Sequence, residues 1–251
     1  MTNVLLSLLA HPDDAEFLCA GTLVRLVQEH GWQAHIASMT PGDCGSADHP
    51  AEEISRIRRA EGAAAAAVIG ARYHCVEERD LLIFYAERPL ERVTRLLREV
   101  RPAVVLTHSP ADYMLDHEMT STVVRAAAFG APVPNFLRDR DLGPPLEHIP
   151  HLYYCDPIEG KDPLGRDVPP AFCIDISNVI DTKAEMLARH ASQRDWLLKH
   201  HGLDQYLEAM RDLGRKRGQG CGVAYAEGFR QHLGHSYPQE NLLGKVLGTV
   251  E

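Results

Sequence analysis

The chain has 251 residues, 45% hydrophobic and 24% charged, a globular composition that excludes disorder as its main theme and allows one large core or two small ones. Asp and Glu outnumber Lys and Arg by 35 to 26, and the net charge of −9 argues against a nucleic-acid binder or a polybasic membrane protein. The longest apolar runs, Asn3–Ala10 and Ala63–Ile69, fall far short of the roughly 18–20 residues that span a bilayer.

Val4–Leu9 is a continuous apolar run between turn residues, the pattern of a strand buried on both faces. Ala15–Glu29 carries Phe17, Leu18, Leu23, Val24 and Val27 at helical spacing and stops at Gly31. A strand over Ala34–Met39 and a Gly- and Pro-rich loop over Pro41–Pro50 come next. They are followed by an Ala-rich helix over Ala51–Ile69, closed by Gly70. A strand over Arg72–Val76, a helix over Leu90–Val100 and a strand over Ala103–Thr107 complete the regular alternation. Such alternation with short connections implies a parallel sheet with right-handed crossovers. The expected fold is therefore α/β, a Rossmann-like, doubly wound, mostly parallel sheet flanked by helices, with an irregular C-terminal extension.

Beyond Thr107 the rhythm loosens. Thr120–Phe129 reads as a helix, and Gly130–Pro150, with five prolines, as an extended excursion. Two strands are expected at His151–Cys155 and Ala171–Ile174, a long helix at Val179–His200, and continued helix at Leu203–Leu213. Gly214–Gly222 reads as a basic, glycine-rich surface loop. No repeat or linker interrupts the chain, so residues 1–251 are expected to form one domain. The first residues lack the basic start of a signal peptide, and the six cysteines include no C-x-x-C pair. Free thiols in a cytoplasmic protein are the expectation. Trp32 and Trp196 are expected to be packing residues. The 14 histidines stand out against the about five or six that average usage gives.

Two segments carry the chemistry. His11-Pro12-Asp13-Asp14 follows the first strand, so its side chains emerge at the carboxyl end of the sheet. An imidazole and a carboxylate three residues apart suit zinc or a similar first-row metal, and Asp13 between them is placed to take a proton from a metal-bound water. The competing reading is a helix start, with Pro12 and an acidic residue in the first turn. The second segment, His108 to His117, follows the fourth strand. In a sheet of order 3-2-1-4 the first and fourth strands are neighbours, and ligands bind in the crevice between their carboxyl ends. His117 would complete a His–Asp–His set with one position open. Here the competing reading is Asp116 as a helix N-cap.

Together these residues resemble the PIG-L/LmbE family of zinc-dependent N-acetylglucosaminyl deacetylases. The likeness continues through Thr40-Pro41-Gly42-Asp43, Arg58-Arg59-Ala60-Glu61, Asp80, His190-Ala191-Ser192-Gln193 and Tyr225 to Phe229. The resemblance implies zinc ligands at His11, Asp14 and His117 and a general base at Asp13. It also implies substrate contacts at Arg58, Asp80 and Asp116. Arg58 with Glu61 also fits a surface ion pair, and Asp80 a turn residue. Many family members carry a histidine three residues before the last ligand, where this chain has Met114. Either Asp13 then serves as both base and acid, or His108, His190, His232 or His235 takes over.

The expected function is zinc-dependent removal of an acetyl group from an N-acetylated amino sugar or its conjugate, other first-row divalent metals being compatible with the ligands. The expected partners are a small amino-sugar substrate and, for oligomerisation, a second copy of the chain, with no nucleic acid and no membrane. The alternatives are an amidase of a glucosamine-linked thiol conjugate and a non-catalytic metal- or nucleotide-binding module. A nucleotide site is disfavoured because two carboxylates would repel a pyrophosphate.

Overall fold

The computed structural model describes residues 3–194 and 205–250. Seven strands form one sheet: β1 (Val4–Leu9), β2 (Gln33–Ser38), β3 (Arg72–Cys75), β4 (Val104–Thr107), β5 (His151–Cys155), β6 (Phe172–Asp175) and β7 (Ala226–Gln231). Their order is β3-β2-β1-β4-β5-β7-β6; the first five run parallel, and β7 is antiparallel to both neighbours. The helices are α1 (Asp14–Leu18), α2 (Ala20–His30), α3 (Ala51–Ala67), α4 (Glu87–Val100), α5 (Leu115–Gly130), α6 (Ile180–Ala188), α7 (Gln205–Gly220) and α8 (Leu242–Leu247). No helix among the described residues is long and apolar enough to cross a membrane.

Two cores flank the sheet, as a doubly wound fold requires. Leu5 and Leu9 of β1 face one core with Leu23 and Leu26 of α2 and Met186 of α6, while Leu6 and Leu8 face the other with Val93 and Leu97 of α4 and Val123 of α5. This two-sided burial is why β1 reads as an unbroken apolar run. The strand order reverses between β1 and β4, so the loops after these strands share one crevice.

The expected α/β architecture is present, and four local expectations are corrected. The first helix breaks at Cys19 (φ −147°, ψ 4°), where the buried Glu227 of β7 accepts the N–H groups of Gly21 and Thr22 at 2.8 and 2.7 Å. Helix α5 begins at Leu115, with Met114 in the capping position, so Asp116 lies inside the first turn and is no N-cap. The expected basic loop is helical as far as Gly220, because Gly214 and Gly218 let α7 lie against Tyr225 and the Val223–Tyr225 backbone while Arg217 pairs with Asp156 at 2.6 Å. The long helix expected from Val179 ends at Ala188, and residues 191–194 start a further helical turn. Its expected continuation to His200, Trp196 and the start of the Leu203–Leu213 helix lie outside the described residues. Strand β7 and helix α8 were not anticipated; Trp32 packs in the core.

Candidate active site

The loop after β1 turns left-handed at Asp13 (φ 107°), a conformation that disfavours side chains other than glycine and asparagine. The turn sends the two adjacent carboxylates to different partners. Asp14 goes to histidines: its Oδ2 lies 3.4 Å from His11 Nδ1 and 3.0 Å from His108 Nε2, and its Oδ1 lies 3.7 Å from His117 Nε2. Asp13 goes to a cation and a phenol, with Oδ1 3.2 Å from Arg58 Nη2 and Oδ2 accepting the Tyr206 hydroxyl at 2.5 Å.

Each of the two expected ligand histidines turns one nitrogen towards Asp14 and the other towards a second carboxylate. His117 Nδ1 lies 2.9 Å from Asp112 Oδ1, and His11 Nε2 lies 3.3 Å from Asp116 Oδ2. Asp116 is itself fixed by the Leu81 N–H at 2.7 Å. Such carboxylate–histidine pairs set the tautomer so that the opposite nitrogen carries a free lone pair, an arrangement typical of metal ligands. The ligand atoms of His11, Asp14 and His117 lie within 4.8 Å of one another.

The charge balance also favours a cation. Asp14, Asp80, Asp112 and Asp116 are all buried, while Arg58 is committed to Asp13 and to the Pro12 carbonyl at 2.5 Å. Burial lowers the pKa of His11, yet Asp116 and Asp14 outweigh it and push the value up to about 10. Burial likewise opposes ionisation of Asp14, but His117 and His108 hold its carboxyl well below the usual carboxylate range. Two imidazoles and a carboxylate, each oriented and surrounded by surplus negative charge, fit a divalent first-row ion.

These residues form the floor of an open cleft of about 390 Å³ lined also by Asp13, Arg58, Asp80 and Tyr113. Arg58 does not pair with Glu61, which accepts the Ser192 amide and hydroxyl, both at 2.7 Å. Asp80 accepts the Cys44 N–H at 2.8 Å through Oδ2, while its buried Oδ1 has no hydrogen-bond partner. Asp116 is not among the cleft-lining residues. Asp112 and Tyr206 were missed in the sequence. Asp112 carried a legible signal, a carboxylate five residues before His117 in the same loop; Tyr206 lies 193 residues from Asp13 and carried none.

A profile of the family described as PIG-L, GlcNAc-PI de-N-acetylase, matches residues 6–128, from β1 through most of α5. Over these residues the chain is similar to the PIG-L family. A 1D-myo-inositol 2-acetamido-2-deoxy-alpha-D-glucopyranoside deacetylase from Rhodococcus erythropolis is 25% identical over 234 residues, 73% of this chain and 79% of the relative. A 4-oxalmesaconate hydratase from Pseudomonas putida is also 25% identical, over 84% of this chain and 82% of its own. The fold is shared with an N,N'-diacetylchitobiose deacetylase from Pyrococcus horikoshii, at a TM-score of 0.78 and 23% identity over 96% of this chain and 88% of that one.

None of the four candidate replacements for the histidine absent at Met114 lines the cleft. His108 is fully buried and stacked on His117 at 3.8 Å, its Nε2 accepting the Ala10 N–H at 3.0 Å. His190 lies buried 3.5 Å from Glu16. His232 meets the Tyr154 hydroxyl at 2.9 Å, and His235 is exposed elsewhere.

Proposed function

We propose that the chain is a metal-dependent hydrolase that removes the acetyl group from an N-acetylated amino sugar or its conjugate, with zinc as the metal. The observation that carries this reading is the convergence of His11, Asp14 and His117 on the floor of a cleft that Asp13 also lines. His11, Asp14 and His117 would hold the divalent ion, which would supply the Lewis acidity that activates water and polarises an amide carbonyl.

The chain's own groups supply the rest. Asp13 accepts the proton released as water attacks. Burial raises the affinity of its carboxyl for a proton above the usual carboxylate range, against the pull of Arg58 and His190, as a general base working near neutrality requires. Arg58 and Tyr206 hold its two oxygens in place. With Met114 unable to donate, Asp13 returns the same proton to the departing nitrogen. Arg58 and Asp80 line the cleft, and their buried Nε and Oδ1 lack hydrogen-bond partners, Asp80 Oδ1 lying 4.0 Å from His11 Nε2; such polar groups favour the hydroxyls of a sugar over an apolar ligand at this point.

One observation favours a second reading, addition of water to an activated double bond, which the Pseudomonas relative's name describes. Met114 leaves no second acid at its position, and hydration expels no amine. The metal-loaded protein, incubated with N-acetylglucosamine, chitooligosaccharides and glucosaminyl conjugates, is expected to release acetate and primary amine in equal amounts. Absence of acetate, together with bleaching of a conjugated unsaturated dicarboxylate, would overturn the hydrolase reading in favour of the hydratase.

A further inference from the structure

Two of the six cysteines meet where the C-terminal third is fastened to the sheet. The sulfurs of Cys173 and Cys221 lie 2.7 Å apart, although the residues are 48 positions apart in the chain, and both thiols are free. Each backbone is fixed from more than one side. Cys173 sits on β6 opposite Gly228 of β7, and along its other edge it exchanges hydrogen bonds of 3.3 and 3.0 Å with Val250. Cys221 follows the last residue of α7, and its N–H donates to the Gly218 carbonyl at 3.0 Å. Gly218 packs so closely on the next segment that a Cβ there would come within 2.6 Å of the Val223 carbonyl oxygen. A disulfide needs the two backbones at one particular separation, and fixed backbones that already bring the sulfurs into contact need little movement to reach it.

The two sulfurs are placed for different tasks. Cys221 is partly exposed, whereas Cys173 is 2% exposed, and burial together with Cys221 pushes the Cys173 thiol up to about 12. A dissolved oxidant therefore reaches Cys221 first and finds Cys173 directly behind it, the arrangement of an attacking and a resolving thiol. Cys19 and Cys155, by contrast, are both wholly buried in the core. A link at Cys221 also bears on the cleft. Arg217, one turn earlier on α7, pairs with Asp156 at 2.6 Å, and Tyr206 near the start of the same helix donates to Asp13.

We propose that Cys173 and Cys221 form a reversible redox pair, joined by a hydroperoxide and parted by a dithiol, that locks the end of α7 to strand β6. The helix so held is the one that steadies Asp13. The Cys221 thiol gives up its proton, and its sulfur attacks the outer oxygen of the peroxide. The O–O bond breaks, the proton leaves with the other oxygen as water, and Cys221 becomes a sulfenic acid. The Cys173 sulfur then attacks Cys221 Sγ. The S–S bond forms, the S–O bond breaks, and the Cys173 proton departs with the hydroxide as a second water. Two thiols are oxidised to one disulfide while the peroxide is reduced by two electrons. A dithiol reverses the step by exchange and is itself left as a disulfide. The reaction in the cleft plays no part in this chemistry.

The test treats the full, reduced chain with a low molar excess of hydrogen peroxide, then denatures it, alkylates the remaining thiols and maps the peptides by mass without reduction. The Cys173 and Cys221 thiols are expected to disappear together, their peptides joined and two hydrogens lighter, and dithiothreitol is expected to restore both. The same map scores the exposed Cys44 separately. In Cys221→Ser no peptide is joined to that of Cys173. Hydrogen exchange reads the lock: the amides of α7 are expected to exchange about tenfold or more slowly in the joined form than in the reduced one. Survival of both thiols overturns the proposal, as does a link between other cysteines or between chains in place of this one. Oxidation of Cys221 beyond the sulfenic acid with Cys173 left free overturns it too. Equal exchange of α7 in the joined and reduced forms removes the lock and overturns it as well.

Discussion

At the scale of single residues, the site is organised by carboxylates that the cleft does not see. Asp112 and Asp116 each hold the far nitrogen of a candidate ligand histidine, so their loss is expected to change metal affinity more than substrate binding. Asp112→Asn is expected to weaken metal affinity about 10–100-fold, measured by competition with a chelator of known affinity. Unchanged affinity would show that His117 needs no such partner. Asp13→Asn is expected to lower kcat by about 10²–10⁴-fold with metal content intact, as loss of a general base does. Retained turnover would remove Asp13 from the mechanism. The clustering of His11, Asp14 and His117 was legible because His11 and Asp14 flank one turn and His117 follows the neighbouring strand end. Asp112 was half legible, and Tyr206 was invisible, because nothing local ties a tyrosine on α7 to an aspartate after β1.

At the scale of elements, the C-terminal third fastens the N-terminal half. Glu227 on β7 accepts two N–H groups at the start of α2 and pairs with Lys183 of α6 at 2.6 Å, all buried. Removing one side of such a pair strands a charge in the interior, and Glu227→Leu is expected to cost about 3–5 kcal/mol of unfolding free energy. Lys183→Met should cost less, because the two amides continue to hold the carboxylate. Chemical denaturation of both variants checks the order. The break at Cys19 was not legible for the same reason, since the apolar spacing of Phe17, Leu18, Leu23 and Val24 suits one continuous helix and the group that stops it lies some 200 residues later.

At the edge of the sheet, His35 of β2 and His74 of β3 meet at 2.8 Å. Burial, His35 and Arg72 lower the pKa of His74 from 6.5 to about 4, so the folded protein keeps it neutral where the unfolded chain is protonated. The stability this contributes is whole above pH 6.5 and is lost as the pH falls towards 4. His74→Gln is expected to make the decline of the urea midpoint over that window shallower, and an unchanged slope would count against the assignment.

At the scale of the whole molecule, the alternation of strands and helices up to Thr107 was enough to place β1 beside β4 and so to predict where the site lies. The order β3-β2-β1-β4 bears this out. The remainder depends on pairing across long sequence distances. Strand β7 reads Ala-Glu-Gly-Phe-Arg-Gln, with no alternation to announce it, and it forms because β5 and β6 leave a place between them. Helix α7 runs through glycines that look like a loop until Tyr225 and Asp156 are seen against it. The site thus combines a local motif with supports that only the folded chain assembles.

His11, Asp14 and His117 are expected to hold one catalytic divalent ion. The most direct test is a titration of chelator-stripped protein with zinc, following acetate release from an N-acetylglucosaminyl conjugate. Activity is expected to be absent at the start, to rise linearly and to saturate at one ion per chain, with His117→Ala recovering none of it. Full activity in protein verified to be metal-free, or saturation unaffected by His117→Ala, would show that these residues hold no catalytic ion.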